Sequence, residues 1–131
     1  MYKVGDKSRV TVKVDDTCTA AALGSGALPV FGTPYLVAMM ENAALGLLKK
    51  DLPEEKGTVG TEVSVSHTAS TPLGMEVTVE VTVVAISENG KMIDFEMEAW
   101  DEVGPIGKGK HQRAIIYNQR FMEKTEAKLA K

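Results

Sequence analysis

Residues 32–50 read Gly32-Thr33-Pro34-Tyr35-Leu36-Val37-Ala38-Met39-Met40-Glu41-Asn42-Ala43-Ala44-Leu45-Gly46-Leu47-Leu48-Lys49-Lys50, and the rest of the chain must be arranged around them. Thr33 can accept a hydrogen bond from a first-turn amide, Pro34 suits the first helical position, and Lys49 and Lys50 complement the negative end of the helix dipole. A helix is therefore predicted with both ends marked, and Asp51, Leu52 and Pro53 stop it. Between those ends the side chains are apolar on nearly every face, the pattern of a helix enclosed by protein. It is too short to cross a bilayer.

Glu41 breaks that pattern. A carboxylate buried in an apolar helix either has its pKa raised or needs a donor nearby to stay ionised, and both outcomes are useful to an enzyme. The plainer reading makes Glu41 and Asn42 a polar stripe that reaches solvent or a subunit boundary. The helix alone leaves both open.

Working outward, Ser8 to Val14 alternates, with Val10, Val12 and Val14 on one side, as a half-buried strand does. From Asp15 to Gly32 the pattern dissolves into a loop with room for a short helical turn at Ala20-Ala21-Ala22; a loop of this length beside Thr33 suits a lid or binding loop. After the helix, Thr58 to His67 alternates again, placing Val59, Val63, Val65 and His67 on one face. Met75 to Ile86 sends Val77, Val79, Val81 and Val83 inward. Asn89-Gly90 is the pair that best accepts positive φ at both centres of a hairpin turn. Met92 to Trp100 returns with Ile93, Phe95, Met97 and Ala99 alternating. Ile106 to Tyr117 forms the last strand, with Gly107, Gly109, His111, Arg113 and Ile115 sharing a side, and Gln119 to Lys131 is a polar surface helix.

One strand, a long helix and four further strands joined largely by tight turns imply an α+β fold in which consecutive strands are antiparallel neighbours. An antiparallel sheet wrapped around one long central helix is the hotdog architecture, and the chain is expected to be a single such domain over residues 1–131. One sheet layer on one helix leaves strand edges bare, so a homodimer or higher homo-oligomer is expected.

Composition narrows the function. At 131 residues there is one core's worth of chain, and the net charge of −3 argues against broad nucleic-acid binding. Cys18 stands alone, which leaves no disulfide, cysteine metal site or redox pair and reads as a small buried or loop thiol. No metal site is expected, since His67 and His111 lie far apart in sequence. Met1-Tyr2-Lys3-Val4-Gly5-Asp6 has no signal-peptide core, so a cytoplasmic protein with no membrane attachment is expected.

Three segments carry a resemblance: 30–43 (Val30-Phe31-Gly32-Thr33 through Ala43), 60–74 (Gly60-Thr61-Glu62 through Gly74) and 106–114 (Ile106-Gly107-Lys108-Gly109-Lys110-His111-Gln112-Arg113-Ala114). In sequence and in mutual spacing they resemble the signature stretches of the fluoroacetyl-CoA thioesterase-like hotdog family. The resemblance implies an acyl-CoA thioesterase with Thr33, Glu41 and His67 as the catalytic set. It implies further that the Gly60 amide and the Arg113 side chain help to hold the thioester, with Phe31 at the substrate. No cofactor is implied beyond coenzyme A as part of the substrate. The phenylalanine lid of the fluoroacetyl-specific enzyme is matched here by Ala27, with Leu28, Val30 and Phe31 nearby, so a different short or medium acyl group is expected.

Thioester hydrolysis needs a nucleophile or activated water, a proton acceptor, and donors for the developing oxyanion. Glu41 can attack the carbonyl or act as base on water, and His67 can orient water or protonate the leaving thiolate. Thr33 can position either, or be a plain helix cap. Arg113, with Lys108 and Lys110, can meet the phosphates of a CoA-like carrier. Eight helical residues separate Thr33 from Glu41, a rise of about 12 Å with side chains roughly 80° apart in azimuth. Either the substrate bridges them or, as expected here, two subunits share the site. The competing functions are a hotdog acyl dehydratase, although its His-Phe-Pro-Gly type run is missing, and a non-catalytic acyl-CoA binding module.

Overall fold

The computed structural model describes every residue from Met1 to Lys131. Its elements are β1 (Lys7–Lys13), α1 (Ala20–Leu23), α2 (Thr33–Lys49), β2 (Lys56–His67), β3 (Glu76–Ile86), β4 (Met92–Asp101), β5 (Pro105–Tyr117) and α3 (Asn118–Glu126), the last followed by a short 3-10 turn. The alternation in the strands becomes a buried face: Val77, Val79, Val81 and Val83 of β3 and Ile93, Phe95, Met97 and Ala99 of β4 are all sealed from water. Against them α2 sets Leu36, Met39, Met40, Ala43, Ala44, Leu47 and Leu48, spaced by threes and fours as one helical face requires. No helix is long and apolar enough to cross a membrane.

The helix is not enclosed all round, contrary to the expectation from its composition. Pro34, Ala38, Asn42 and Gly46 form an exposed stripe along the face turned away from the sheet. Small and apolar residues there hide the amphipathicity that an ordinary surface helix would display.

The five strands form one antiparallel sheet in the order β1-β3-β4-β5-β2. The expectation that consecutive strands are neighbours fails once: β2 lies at the far edge beside β5, and residues 68–75 carry the chain across to β3. Backbone bonds anchor that crossover, Phe31 N–H to the Thr71 carbonyl at 2.9 Å and Gly74 N–H to the Val14 carbonyl at 2.9 Å. The Thr71 hydroxyl, wholly buried, donates to Asp101 at 2.8 Å. As a result the outer side of β2 is paired with nothing in the chain, leaving a 12-residue open edge.

Two local readings are also corrected. The turn at 87–91 is wider than a two-residue hairpin: only Gly90 takes positive φ (75°), while the Asn89 side chain accepts from Ser87 Oγ and Lys91 N–H. In β2 the register shifts between Gly60 and Glu62, so that Thr61 is an extra residue in a bulge. A bulge reverses the alternation. Val59, opposite Ala114, therefore faces away from Val63, Val65 and His67, and it is Gly60, opposite Arg113, that shares their face.

Candidate active site

The first group forms where α2 begins. Gly32, not Thr33, is the N-cap residue, and no side chain caps the helix, so the cap reading of Thr33 is wrong. The Thr33 hydroxyl lies instead 2.7 Å from His67 Nδ1. As the first helical residue, Thr33 also has a main-chain N–H with no acceptor in the chain. His67 is delivered to this point as the last residue of β2. Its ring meets the edge of Phe31 at 6.2 Å between centroids, and Phe31, 1% exposed, in turn packs edge-on to Tyr35 at 5.9 Å. Burial pushes the His67 pKa below the usual histidine value, opposed by the Ala69 main chain. The imidazole is therefore neutral at neutral pH. Its Nε2 is buried without a hydrogen-bond partner. The Thr33 hydroxyl and Nδ1 therefore share one hydrogen bond, with the Thr33 oxygen able to donate to a lone pair on Nδ1 or to accept from a proton there.

The second group sits two turns further along α2. Glu41 is half-buried, its side chain 41% exposed, and Arg113 Nη1 lies 3.7 Å from its Oε2. No donor hydrogen-bonds to this carboxylate within the chain, so its lone pairs stay available while the guanidinium supplies charge. Arg113 itself is fixed by Thr58, through Nε to Oγ1 at 2.9 Å and Nη2 to the carbonyl at 3.1 Å. Burial lowers the Arg113 pKa and Glu41 opposes that shift. The Arg113 residue is only 6% exposed, and its guanidinium is directed toward Thr58 and Glu41.

Gly60 belongs to the second group because of the bulge. A Cβ there would come 2.8 Å from Glu41 Oε2, 3.1 Å from His111 Cε1 and 3.4 Å from Arg113 Nη1, so only glycine lets the carboxylate and guanidinium approach the strand. His111 and Thr58 were not among the expected site residues. Their signal was present in the shared alternation of His111 and Arg113, but alternation does not reveal which inward polar groups touch.

Thr33, His67 and Phe31 thus converge, as do Glu41, Gly60 and Arg113, but the two groups stay apart. They are separated by about 12 Å along α2 and by seven residues, about 23 Å, along β2. Each leaves functional atoms open: the Thr33 side chain is exposed and Glu41 partly so.

A protein-family model for fluoroacetyl-CoA-specific thioesterases matches residues 12–119. The chain is 37% identical over 99 residues to a fluoroacetyl-CoA thioesterase from Streptantibioticus cattleyicolor, covering 76% of this chain and 70% of that protein. Among solved structures, a fluoroacetyl-CoA thioesterase superposes with a TM-score of 0.90 at 30% identity over 98% of both chains. A hot-dog-like protein from Thermanaerovibrio acidaminovorans superposes with a TM-score of 0.87 at 25% identity over 97% of this chain and 93% of that one.

Proposed function

From the premise that the chain belongs to the fluoroacetyl-CoA-specific thioesterase family, we propose that Thr33, Glu41 and His67 hydrolyse a short or medium acyl-CoA at a site shared by two copies of the chain. The protein is a thioester hydrolase with the hotdog fold, acting on acyl-CoA. The observation that carries the shared site is the pair of half-sites at separate points on one open edge strand. If two β2 edges pair antiparallel about a centre near Val63 and Ser64, Gly60 of one copy comes opposite His67 of the partner subunit. Glu41 then faces the Thr33 hydroxyl and N–H of the other chain. Val63, an apolar residue 41% exposed on that edge, would be covered by the same pairing.

In this arrangement the thioester oxygen meets the Thr33 N–H at the positive end of α2, where negative charge develops. Two routes use the same atoms. In one, Glu41 takes a proton from water as the water oxygen attacks the carbonyl carbon, the C–S bond breaks, and the proton passes on to the thiolate. In the other, the Glu41 carboxylate attacks, the C–S bond breaks to give a mixed anhydride and a thiolate, and water then cleaves the anhydride. The His67–Thr33 pair handles the proton in either. Single-turnover hydrolysis in 18O water separates them, because only the anhydride route can leave label in Glu41.

Ala27 lies on the exposed segment 24–29, beside exposed Leu28. A methyl group at the lid position leaves space for an acyl group larger than fluoroacetyl. The test is thiol release across acyl-CoAs of increasing length. A Glu41→Ala protein that still binds acyl-CoA should release no thiol above the buffer rate; full turnover in that variant would contradict the assignment, and no turnover by the unaltered protein would favour a pure binding module.

A further inference from the structure

The least explained group near the site is His111, which lies inside the sheet at 3% exposure and takes no part in the chemistry above. Its ring stacks on Phe95 at 6.2 Å between centroids. Its two nitrogens have distinct partners: Nδ1 lies 2.7 Å from the Glu62 carbonyl and Nε2 lies 3.2 Å from Arg113 Nη1. A carbonyl can only accept, so Nδ1 carries the proton and Nε2 presents a lone pair. A guanidinium can only donate, and that lone pair is what it needs. The tautomer is fixed from both sides.

This gives His111 two grips on the machinery. Through Nδ1 it holds the carbonyl just past the bulge that brings Gly60 to Glu41. Through Nε2 it fixes the guanidinium nitrogen that faces Glu41 Oε2 at 3.7 Å. A neutral acceptor orients that nitrogen without cancelling its charge, so the positive field stays directed at the carboxylate. An acidic partner in the same place would divert it.

Granting the thioesterase reading, on which this role rests, we infer that His111 is a positioning residue for the reaction, holding Arg113 against Glu41 by way of Nε2. It touches neither substrate nor reacting atoms.

The test uses two substitutions that divide the ring's functions. His111→Gln places an amide oxygen near the position of Nε2 and keeps an acceptor for Arg113; His111→Asn keeps a donor for the Glu62 carbonyl and loses that acceptor. His111→Asn should lower kcat roughly 10- to 100-fold, the scale of one hydrogen bond to a charged group, with KM for acyl-CoA within about threefold. His111→Gln should recover kcat to within about threefold of the unaltered enzyme, and in an Arg113→Gln background the Asn substitution should cost nothing further. Equal losses in the two variants, the reverse order, or an undiminished loss without Arg113 would overturn the inference. Nitrogen-15 NMR of the histidine rings of the unaltered protein gives an answer that needs neither turnover nor a folded variant. At neutral pH His111 should be the neutral tautomer protonated on Nδ1, and a ring protonated on Nε2 would equally overturn the inference. Absence of thiol release by the unaltered protein would instead defeat the thioesterase reading, leaving the tautomer to decide the geometry.

Discussion

Glu41→Gln keeps the volume and the shape of the side chain and removes only the charge, so it separates chemistry from packing. Because the carboxylate accepts no hydrogen bond in the chain and is partly exposed, the exchange should leave stability within about 0.5 kcal/mol while kcat falls about 1,000-fold or more. Thermal melts alongside thiol release check both. At Thr33 the useful pair is Ser and Val. Since the helix is capped by Gly32, Thr33→Ser should retain most of kcat, and Thr33→Val, which lacks the hydroxyl on His67, should lose roughly 10- to 100-fold. Ala27→Phe, restoring bulk on the exposed loop, should shift the chain-length profile toward the shortest acyl groups.

Within single elements, β2 decides how the site is assembled. Gly60→Ala puts a methyl group into the space that Glu41, His111 and Arg113 share, and the carboxylate is the most movable of the three. Activity should fall at least tenfold with a smaller change in melting temperature, and a fully active Gly60→Ala enzyme would contradict the packing described. This strand also marks where the sequence ceased to be legible. The four valines of β3 and the apolar positions of β4 are readable because each alternates without interruption along its whole length. Thr61 looks like any strand residue, and nothing local announces that it is the extra one, so simple alternation puts Val59 on the wrong face. The placement of β2 beside β5 is likewise a matter of distant pairing, invisible to a reading that joins neighbours in sequence. Thr33 is legible as a group that can position Glu41 or His67, but the sequence does not choose between these and a helix cap, because a threonine before a proline fits an N-cap equally well.

For the whole molecule, the two histidines make stability depend on pH. Burial depresses both His67 and His111 pKa values in the folded chain, whereas the unfolded chain titrates near 6.5. Below that value the unfolded state binds protons that the folded state resists, so stability is full above about pH 6.5 and declines as the pH falls toward the folded pKa values. The urea midpoint should drop between pH 7.5 and 5.5, and His111→Gln should reduce the drop. A midpoint that rises on acidification would contradict the burial of these rings. The same scale holds the question on which the catalytic account depends, whether two half-sites on one open edge strand become one site when two copies pair. Co-expressing Glu41→Gln with His67→Ala chains, each inactive alone, tests this most directly. If Glu41 of one copy works with His67 of the partner subunit, mixed dimers hold one intact site each and should recover roughly a quarter of unaltered activity. If turnover in the mixture stays at the level of the separate variants while mixed dimers are demonstrably present, Glu41 and His67 do not act across two chains.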